Sequence, residues 1–161
     1  MNLEVTEESC EKMTENTLLV IKPDAVQRGL IGEIISRIER KGLKINALKM
    51  IKLTEDDVDK LYDIHVEKGF YPLLKSFILS GPLVTISIQG KNCVKIVRKL
   101  AGATNSPEAE PGTIRGDLGI DLTKNIVHSS DKPERALYEL GVLFENEDYV
   151  SFDLINKSWV E

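Results

Sequence analysis

Leu18-Leu19-Val20-Ile21 is a continuous apolar run that stops at Lys22-Pro23-Asp24. A short apolar run without polar alternation, ended by a proline, is typical of a central strand that is buried on both faces. A central strand needs neighbours on both edges and a covering layer on each face. The rest of the chain must therefore supply further strands and amphipathic helices, beginning from a domain start near Asn16.

The segments after this strand alternate between helical and strand patterns. Apolar spacing and turn residues predict, in order, a helix carrying Ile31 to Ile38, a strand from Leu43, a helical pair over 54–79, a strand over 84–88, a helix over 94–101, a short strand over 125–128 and a helix opened by Pro133. Without the helical pair and the last helix, this order is β-α-β-β-α-β, the unit of ferredoxin-like folds. We predict an α+β protein: a ferredoxin-like antiparallel sheet covered by helices, with an inserted helical pair and a C-terminal extension.

Length and charge indicate one domain of about neutral charge behind an acidic extension. The 161 residues suit a single core, and 42% of them are hydrophobic. The net charge of −5 argues against a generally basic nucleic-acid-binding protein. Residues 1–15 hold one lysine and five glutamates, so they contribute 1 − 5 = −4, and residues 16–161 carry only −1. We therefore predict an acidic N-terminal extension over 1–15 and a single domain over 16–161, whose charge does not exclude binding of a nucleotide's phosphates.

Cysteine content and hydropathy predict the compartment. Cys10 and Cys93 cannot form a disulfide framework, and no Cys/His cluster suits zinc. The N-terminus lacks the basic and apolar regions of a secretory signal, and no apolar run is long enough to span a membrane. These features favour a soluble, cytoplasmic protein with no membrane partner.

The candidate chemistry is not carried by a common phosphate loop. Neither a Walker A loop nor a G-x-G-x-x-G motif is present. The polar residues that fall at predicted element ends and loops are Lys22, Arg115, Asn125, His128 and Ser130. A long loop over 102–117 precedes the last three, and loops of that length in compact domains are usually functional or disordered. We expect this one to be functional.

His128 is the candidate nucleophile, because a neutral imidazole is both nucleophilic and a possible general base. A lone histidine is more often structural, but this one closes a strand and is followed at once by a Ser-Ser-Asp turn and a helix N-terminus. Glu139 lies at the border of the apolar face of that helix. Its spacing fits equally well a carboxylate that orients the imidazole and one that faces solvent.

Two further residues have competing interpretations. Arg98 falls on the apolar stripe of its helix, one turn after Val94, where a charge is unusual. Taken alone, it is best explained by a packed stem with its head in solvent. His65 shares a helical face with Leu61 and Tyr62, so we expect a packed or edge histidine with no chemical role, outside the site.

Three separated motifs carry a resemblance to a known family: Ile21 to Gly29, Pro111 to Asp117 and Asn125 to Asp131. In this order they resemble nucleoside diphosphate kinase, and the resemblance extends from about Asn16 to about Trp159. It implies an enzyme that moves the γ-phosphate of a nucleoside triphosphate, typically ATP, to a nucleoside diphosphate in a ping-pong cycle, maintaining NTP and dNTP pools. It also implies Mg²⁺ on the nucleotide phosphates with no direct protein ligand, and a homo-oligomer, with a hexamer favoured and a tetramer possible.

The resemblance further implies a role for each site residue. His128 is the phosphorylated nucleophile. The residues that contact phosphate are Lys22, Arg98, Thr104 and Arg115. The others are Tyr62 beside the nucleophile, Asn125 at the sugar, Phe70 under the base, and Ser130 with Glu139 supporting the histidine.

The chain departs from the family pattern at four places. Ser129 replaces a glycine, Lys132 a small residue and Gly69 a proline, while Ser106-Pro107 shifts the proline of the long loop. These departures motivate a competing hypothesis, a non-catalytic ferredoxin-like module that binds nucleotides or a partner protein. Nucleotide binding without turnover would favour that module. Nucleic acid is a weaker candidate as primary partner, because no basic stripe is present.

Overall fold

The computed structural model describes residues 14–160 and contains a four-stranded antiparallel sheet in the order β2-β3-β1-β4. Its strands are β1 (Thr14–Ile21), β2 (Lys44–Ile51), β3 (Leu83–Lys91) and β4 (Val127–Ser129). All three strand pairings are antiparallel. The predicted α+β class and ferredoxin-like sheet are confirmed.

β1 is a central strand, as the apolar run predicts. It pairs with β3 along its whole length and with β4 over its last three residues. The strand begins at Thr14, two residues before the predicted domain start at Asn16, because Thr14 pairs with Lys91 at the far end of β3. The rest of the predicted N-terminal extension, residues 1–13, lies outside the described residues.

Helices cover both faces of this sheet. They are α1 (Pro23–Gln27), α2 (Ile31–Arg40), α3 (Glu55–Leu61), α4 (Tyr71–Leu79), α5 (Cys93–Ala101), α6 (Ile114–Leu118), α7 (Pro133–Leu143) and α8 (Lys157–Val160). Short 3₁₀ turns lie at Asp63–His65, Ser106–Glu108 and Asn146–Asp148. Over residues 14–160, no helix has the length and apolarity that a membrane span requires.

The two faces of β1 enter separate hydrophobic clusters. Leu19 and Ile21 pack in a cluster with residues of α2 and α5, whereas Leu18 and Val20 pack in another with residues of α3, α4 and α7. All four side chains are fully buried. Because side chains alternate across a strand, burial on both faces explains why the run has no polar alternation.

The helix predicted from Thr54 towards Gly69 is shorter than the apolar spacing indicated. Its capping box is present, since the side chains and backbone of Thr54 and Asp57 bond reciprocally. The helix nevertheless ends at Leu61. The Leu61 carbonyl accepts a hydrogen bond from Arg135 instead of continuing the helical ladder, and a 3₁₀ turn follows.

Three other local features go beyond what the sequence patterns indicated. The loop predicted over 102–117 contains a 3₁₀ turn and the start of α6, whose N-cap Thr113 accepts a hydrogen bond from Gly116 N. No serine or aspartate side chain caps α7, which begins at Pro133 after an uncapped Lys132. The alternation of β2 is blurred because its register with β3 shifts between Ile45 and Ala47, as at a β-bulge.

Candidate active site

The predicted site residues converge on a pocket of about 450 Å³. It lies between β4, α5 and α6 on one side and the segment from Tyr62 to Leu74 on the other. The predicted residues that line it are Lys22, Tyr62, Phe70, Arg98, Thr104, Arg115, Asn125, His128 and Glu139. The tenth, Ser130, is buried behind Glu139 and bonds to it.

His128 presents one ring nitrogen to the protein and leaves the other for the pocket. It lies in β4 opposite Val20 of β1, so the sheet itself positions its backbone. Its buried Nε2 lies 3.1 Å from Oε2 of Glu139, in a contact that is not well aligned as a hydrogen bond. The Tyr62 ring packs edge-on against the imidazole, with the ring centroids 5.4 Å apart. Because Nε2 is buried against Glu139, Nδ1 is the ring nitrogen that is left to react.

Glu139 turns inward, which resolves the alternative that its spacing left open. The residue is only 2% exposed although it carries a carboxylate. Ser130 Oγ donates a 2.5 Å hydrogen bond to its Oε2, and Arg135 Nε donates a 3.0 Å bond to its Oε1. Burial raises the pKa of this carboxyl, but the contacts with His128, Ser130 and Arg135 outweigh that effect and lower the pKa overall. An ionised carboxylate therefore faces the imidazole.

Lys22 and Arg115 are buried cations that meet in the same place. Lys22 Nζ donates a 2.6 Å hydrogen bond to Oδ1 of Asn125. Arg115 donates to the backbone carbonyls of Asn125, Gly102 and Val127 at 3.2, 2.8 and 2.7 Å. In the described part of the chain, neither cation forms an ion pair with a carboxylate.

The pKa values of both cations record this unbalanced charge. Burial, with a contribution from nearby Arg115, lowers the pKa of Lys22 to about 7, against a smaller opposing effect of the Asp24 carboxylate. Burial, with a contribution from Arg98, lowers the pKa of Arg115 to about 10. Buried charges are normally paired, because desolvation is costly. An anion in the pocket would supply the missing partner, so this end of the pocket suits phosphate.

Arg98 directs its head towards the pocket rather than away from it. Nη1 lies 3.3 Å from the carbonyl oxygen of Ser129 and 3.5 Å from its hydroxyl. The interpretation of Arg98 as a residue whose head simply reaches solvent is therefore wrong. Ser129, which stands where the family pattern has glycine, is accommodated by this contact.

A strained backbone residue sets the direction of Asn125 and His128. Ile126 has a φ of +76°, which a β-branched residue rarely adopts. Two hydrogen bonds hold it: Lys22 N donates to its carbonyl at 2.9 Å, and its own N donates to Oδ2 of Asp24 at 3.1 Å. Such strain persists only where the surroundings over-determine it. Here it accompanies the turn that places Asn125 against Lys22 and His128 in β4.

We refer to Lys22, Arg115, Asn125, His128 and Glu139 as the inner end of the pocket. The opposite, outer end consists of apolar side chains that are 52–65% exposed: Ile64, Phe70, Leu73 and Leu122. This arrangement gives the pocket one charged, buried end and one flat, apolar, open end.

His65 lines this pocket, although the sequence interpretation left it outside the site. Because α3 ends at Leu61, His65 falls in the 3₁₀ turn instead of on a helical core face. Its ring lies 5.5 Å from that of Phe70 and 6.4 Å from that of Tyr62, centroid to centroid. Burial, with a contribution from His128, lowers its pKa. His65 thus borders Phe70, the aromatic residue of the outer end.

Arg135 also lines the pocket and was not among the predicted site residues. It contacts Glu139, four residues later on α7, together with the Leu61 carbonyl and Asp63. The Arg-Glu pair at helical spacing was visible in the sequence, but such pairs are common on solvated helix faces. Only the inward orientation of Glu139 gives this pair its place in the site.

The pocket does not itself form a metal site. Its lining carboxylates are Asp131 and Glu139, and Glu139 is engaged by three side chains. Within residues 14–160, no group of three or more histidine, cysteine, aspartate or glutamate side chains could hold a metal ion. A metal here would need most of its ligands from a bound molecule.

Sequence comparison identifies close relatives over most of the chain. The family model described as nucleoside diphosphate kinase matches residues 15–149. The nucleoside diphosphate kinase of Archaeoglobus fulgidus is 47% identical over 146 residues, covering 91% of this chain and 97% of that relative. The enzyme of Methanocorpusculum labreanum is 50% identical over 144 residues, covering 89% and 97%. The matched segment contains every residue that lines the pocket.

Structural comparison gives the same result. A halophilic nucleoside diphosphate kinase from Halobacterium salinarum, solved in complex with CDP, has a TM-score of 0.89 at 40% identity and covers 91% of this chain and 98% of its own. A nucleoside diphosphate kinase family protein from Babesia bovis has a TM-score of 0.89 at 41% identity, covering 91% and 99%.

Proposed function

Because this chain belongs to the nucleoside diphosphate kinase family, it transfers phosphoryl groups between nucleotides, and we propose that His128 is the residue that carries the phosphoryl group. The family mechanism is a ping-pong cycle through a phosphohistidine. The observation that carries the proposal is the inner end of the pocket, where an imidazole backed by an ionised carboxylate lies beside buried, unpaired cations.

In the proposed first half-reaction, Nδ1 of His128 attacks the γ-phosphorus of a nucleoside triphosphate. The Nδ1–P bond forms, the bond from phosphorus to the β-γ bridging oxygen breaks, and the nucleoside diphosphate leaves. The ring becomes cationic, with its remaining N–H on Nε2, which faces Glu139 at 3.1 Å. Glu139 thus fixes the reactive tautomer and stabilises the developing charge. The second half-reaction is the reverse, with another nucleoside diphosphate as acceptor.

Lys22, Arg98 and Arg115 are proposed to neutralise the phosphates, with Thr104 as a further contact. Phosphoryl transfer depends mainly on positioning and on stabilising charge at the phosphate oxygens. Lys22 and Arg115 suit this role because other residues already hold them in place before the substrate arrives. The hydroxyl of Tyr62 is buried without a partner among the described residues, and the Tyr62 ring lies beside His128.

The nucleoside is proposed to extend from the inner end to the outer end. Asn125 is proposed to reach the sugar, although in the present structure its amide bridges Lys22 and the Thr104 carbonyl. The half-exposed Phe70 ring offers a π-face on which any base can stack, a contact worth roughly 1–3 kcal/mol per base in single-strand binders. Stacking without a fixed base-edge partner favours broad base tolerance.

Mg²⁺ is proposed to enter on the nucleotide phosphates. The donor set fits this arrangement, because Asp131 is the one lining carboxylate, within the described chain, that Ser130 and Arg135 do not engage. When bound, the ion neutralises phosphate oxygens. The chain's own contribution is the set of fixed cations and the supported histidine.

Three of the four departures from the family pattern, Ser129, Lys132 and Pro107, do not obstruct this site. Ser129 contacts Arg98, Lys132 is exposed and does not line the pocket, and the shifted Pro107 lies in the first turn of a 3₁₀ helix. No structural observation favours the non-catalytic module, and membership of the kinase family argues against it.

We also propose a homo-oligomer, with a hexamer favoured and a tetramer possible. Leu48 and Met50 on the edge strand β2 are 46% and 57% exposed, which supports contact with another subunit. Light scattering combined with sedimentation would give the number of subunits.

We further propose a cytoplasmic location. The free, buried thiol of Cys93 is consistent with a reducing compartment, and cell fractionation would test the location.

Labelling with γ-³²P ATP tests the proposed nucleophile. The wild type should acquire an acid-labile, alkali-stable label and pass it to GDP. His128→Ala should acquire none. If His128→Ala takes up label and transfers it as well as the wild type does, the proposal is wrong.

A further inference from the structure

We infer that Arg135 is a positioning residue for this reaction, and that it holds Glu139 in place behind His128 and ties that pair to the pocket wall that begins at Tyr62. The inference rests on the proposed role of His128. Arg135 differs from the phosphate-facing cations Lys22 and Arg115 because it is paired with two carboxylates, Glu139 and Asp63. It also donates to the Leu61 carbonyl.

Arg135 binds one oxygen of the Glu139 carboxylate and leaves the other oxygen for Ser130 and His128. Its Nε donates to Oε1 at 3.0 Å, while Oε2 accepts from Ser130 and faces His128. With Oε1 held, the carboxylate cannot rotate away from the imidazole without breaking a charge-assisted hydrogen bond. Without Arg135, the Ser130 hydroxyl alone would orient it.

The other side of the same guanidinium holds the pocket wall. Nη2 lies 2.7 Å from the Leu61 carbonyl oxygen and 2.6 Å from Oδ1 of Asp63. These contacts lie where α3 ends and the chain turns into the segment that carries Tyr62 and Phe70. One side chain therefore connects the residue behind the nucleophile with the segment beneath the base.

The geometry of Arg135 distinguishes it from an ordinary surface ion pair. Its side chain is 12% exposed, and its guanidinium carbon also lies 4.7 Å from the Tyr138 ring centroid. Exposed pairs four residues apart on a helix contribute only about 0.3–0.5 kcal/mol. A planar guanidinium spreads its five donors over a fixed fork, so that Nε bonds Glu139 while Nη2 bonds Asp63, whereas a lysine has its donors on a single nitrogen.

Three variants and one matched control separate positioning from stability. Arg135→Met removes both arms, Arg135→Lys keeps the charge with one donor group, and Asp63→Asn weakens only the arm to the pocket wall. The control is Arg37→Met. Arg37 also pairs with a glutamate four residues away, with an aspartate and with a backbone carbonyl, but it does not line the pocket.

Single-turnover quench-flow with γ-labelled ATP would measure the rate constant of His128 phosphorylation, and steady-state assays would give KM for ADP. Arg135→Met should lower the rate constant on the order of 10- to 100-fold, because small displacements of reacting groups are costly, and should raise KM several-fold. Asp63→Asn should raise KM with little change in the rate constant. Arg135→Lys should fall between Arg135→Met and the wild type, and Arg37→Met should leave both quantities unchanged.

The pH profile is the readout that a purely structural role would not move. The groups facing Glu139 are His128 and Ser130 at the end of β4, Tyr62 beyond α3, and Arg135 on α7. Removing a cation from a carboxyl raises its pKa. The acidic limb of the phosphorylation profile should therefore move to higher pH in Arg135→Met and should not move in Arg37→Met.

If Arg135→Met and the control Arg37→Met have the same rate constant, KM and pH profile, the inference is wrong. The same holds if Arg135→Lys, which preserves the folded state most closely, is indistinguishable from the wild type in all three. A wild type that forms no phospho-His128 overturns both the proposed function and this inference. A labelled wild type with an unaffected Arg135→Met overturns the inference alone.

Discussion

The two ends of the pocket are built in opposite ways. At the inner end, Lys22 and Arg115 are 5% and 3% exposed and are held by backbone and amide groups. At the outer end, Phe70 and Leu73 are 52% and 65% exposed and lie on a short helix and the turn before it. Fixed charges suit phosphoryl transfer, because this reaction depends on the positions of the groups around the phosphate. An open apolar face suits stacking of a nucleotide base without selection between bases. The two ends should therefore respond differently to substitution.

Lys22→Met is the strongest test of the inner end. Loss of this cation should lower kcat on the order of 10²- to 10³-fold, as loss of one preorganised charge-stabilising donor does. The free energy of unfolding should rise by about 1–4 kcal/mol near pH 6, because a costly buried charge is removed. Steady-state kinetics and urea unfolding measure the two effects. A variant that is both fully active and less stable would contradict this account of the inner end.

The pH dependence of stability follows from the same residue. The folded-state pKa of Lys22 is about 7, against 10.5 for the free side chain. Between these values the unfolded chain binds more protons, so the contribution of Lys22 to the free energy of unfolding rises with pH over that window. Lys22→Met should lack this rise, and a comparison of urea titrations at pH 7 and pH 9 would measure it.

Glu139→Gln should have the second largest effect. The amide keeps the size of the side chain but cannot stabilise an imidazolium, so the rate of His128 phosphorylation should fall on the order of 10- to 100-fold. KM should change little, since Glu139 supports the nucleophile from behind. Ser130→Ala, which removes one hydrogen bond to the carboxylate, is the milder control. An unchanged phosphorylation rate in Glu139→Gln would remove Glu139 from the mechanism.

At the outer end, Phe70→Ala should affect binding rather than chemistry. Loss of stacking should raise KM for all nucleotides by roughly 5- to 150-fold, equivalent to about 1–3 kcal/mol, with kcat nearly unchanged. Phe70→Tyr keeps a π-face and should behave as the wild type. If Phe70→Ala lowers kcat as much as it raises KM, the two ends are not functionally separate.

The smallest expected effect is a fractional proton uptake on nucleotide binding. At pH 8, Lys22 is mostly neutral in the free protein because its pKa is about 7. A bound phosphate raises that pKa, so ADP binding should take up part of a proton and should tighten as the pH falls towards 7. Calorimetry in two buffers of different ionisation enthalpy measures the uptake. Equal uptake by Lys22→Met would exclude Lys22 as its source.

The apolar patterns of the sequence predicted the elements whose position depends mainly on the burial of their own side chains. The apolar run from Leu18 to Ile21 and the isoleucine stripe of α2 reflect burial, and burial dictates their periodicity. The end of α3 could not be predicted in this way, because the donor to the Leu61 carbonyl is Arg135, 74 residues later in the chain. The same long-range contact displaced His65 from the expected helical face into the pocket.

The site residues could be predicted from the family resemblance, inside the three motifs and also outside them, as at Arg98 and Phe70, which both line the pocket. His128 and Arg115 lie in motifs, whereas Arg135 lies in an ordinary helical pair and acquires its place from the inward turn of Glu139. The strained φ of Ile126 leaves no trace in the sequence either, since a β-branched residue predicts extended backbone. Tertiary contacts, not propensity, decide these positions.

We propose above all that His128 carries the phosphoryl group on Nδ1, because Nε2 is buried and faces Glu139. Nuclear magnetic resonance of protein labelled with ¹⁵N histidine, recorded after reaction with ATP and removal of free nucleotide, identifies the phosphorylated nitrogen. The account predicts a phosphoryl group on Nδ1 of His128 that disappears when GDP is added. A phosphoryl group on Nε2, or none on His128 while the protein still turns over, would contradict it.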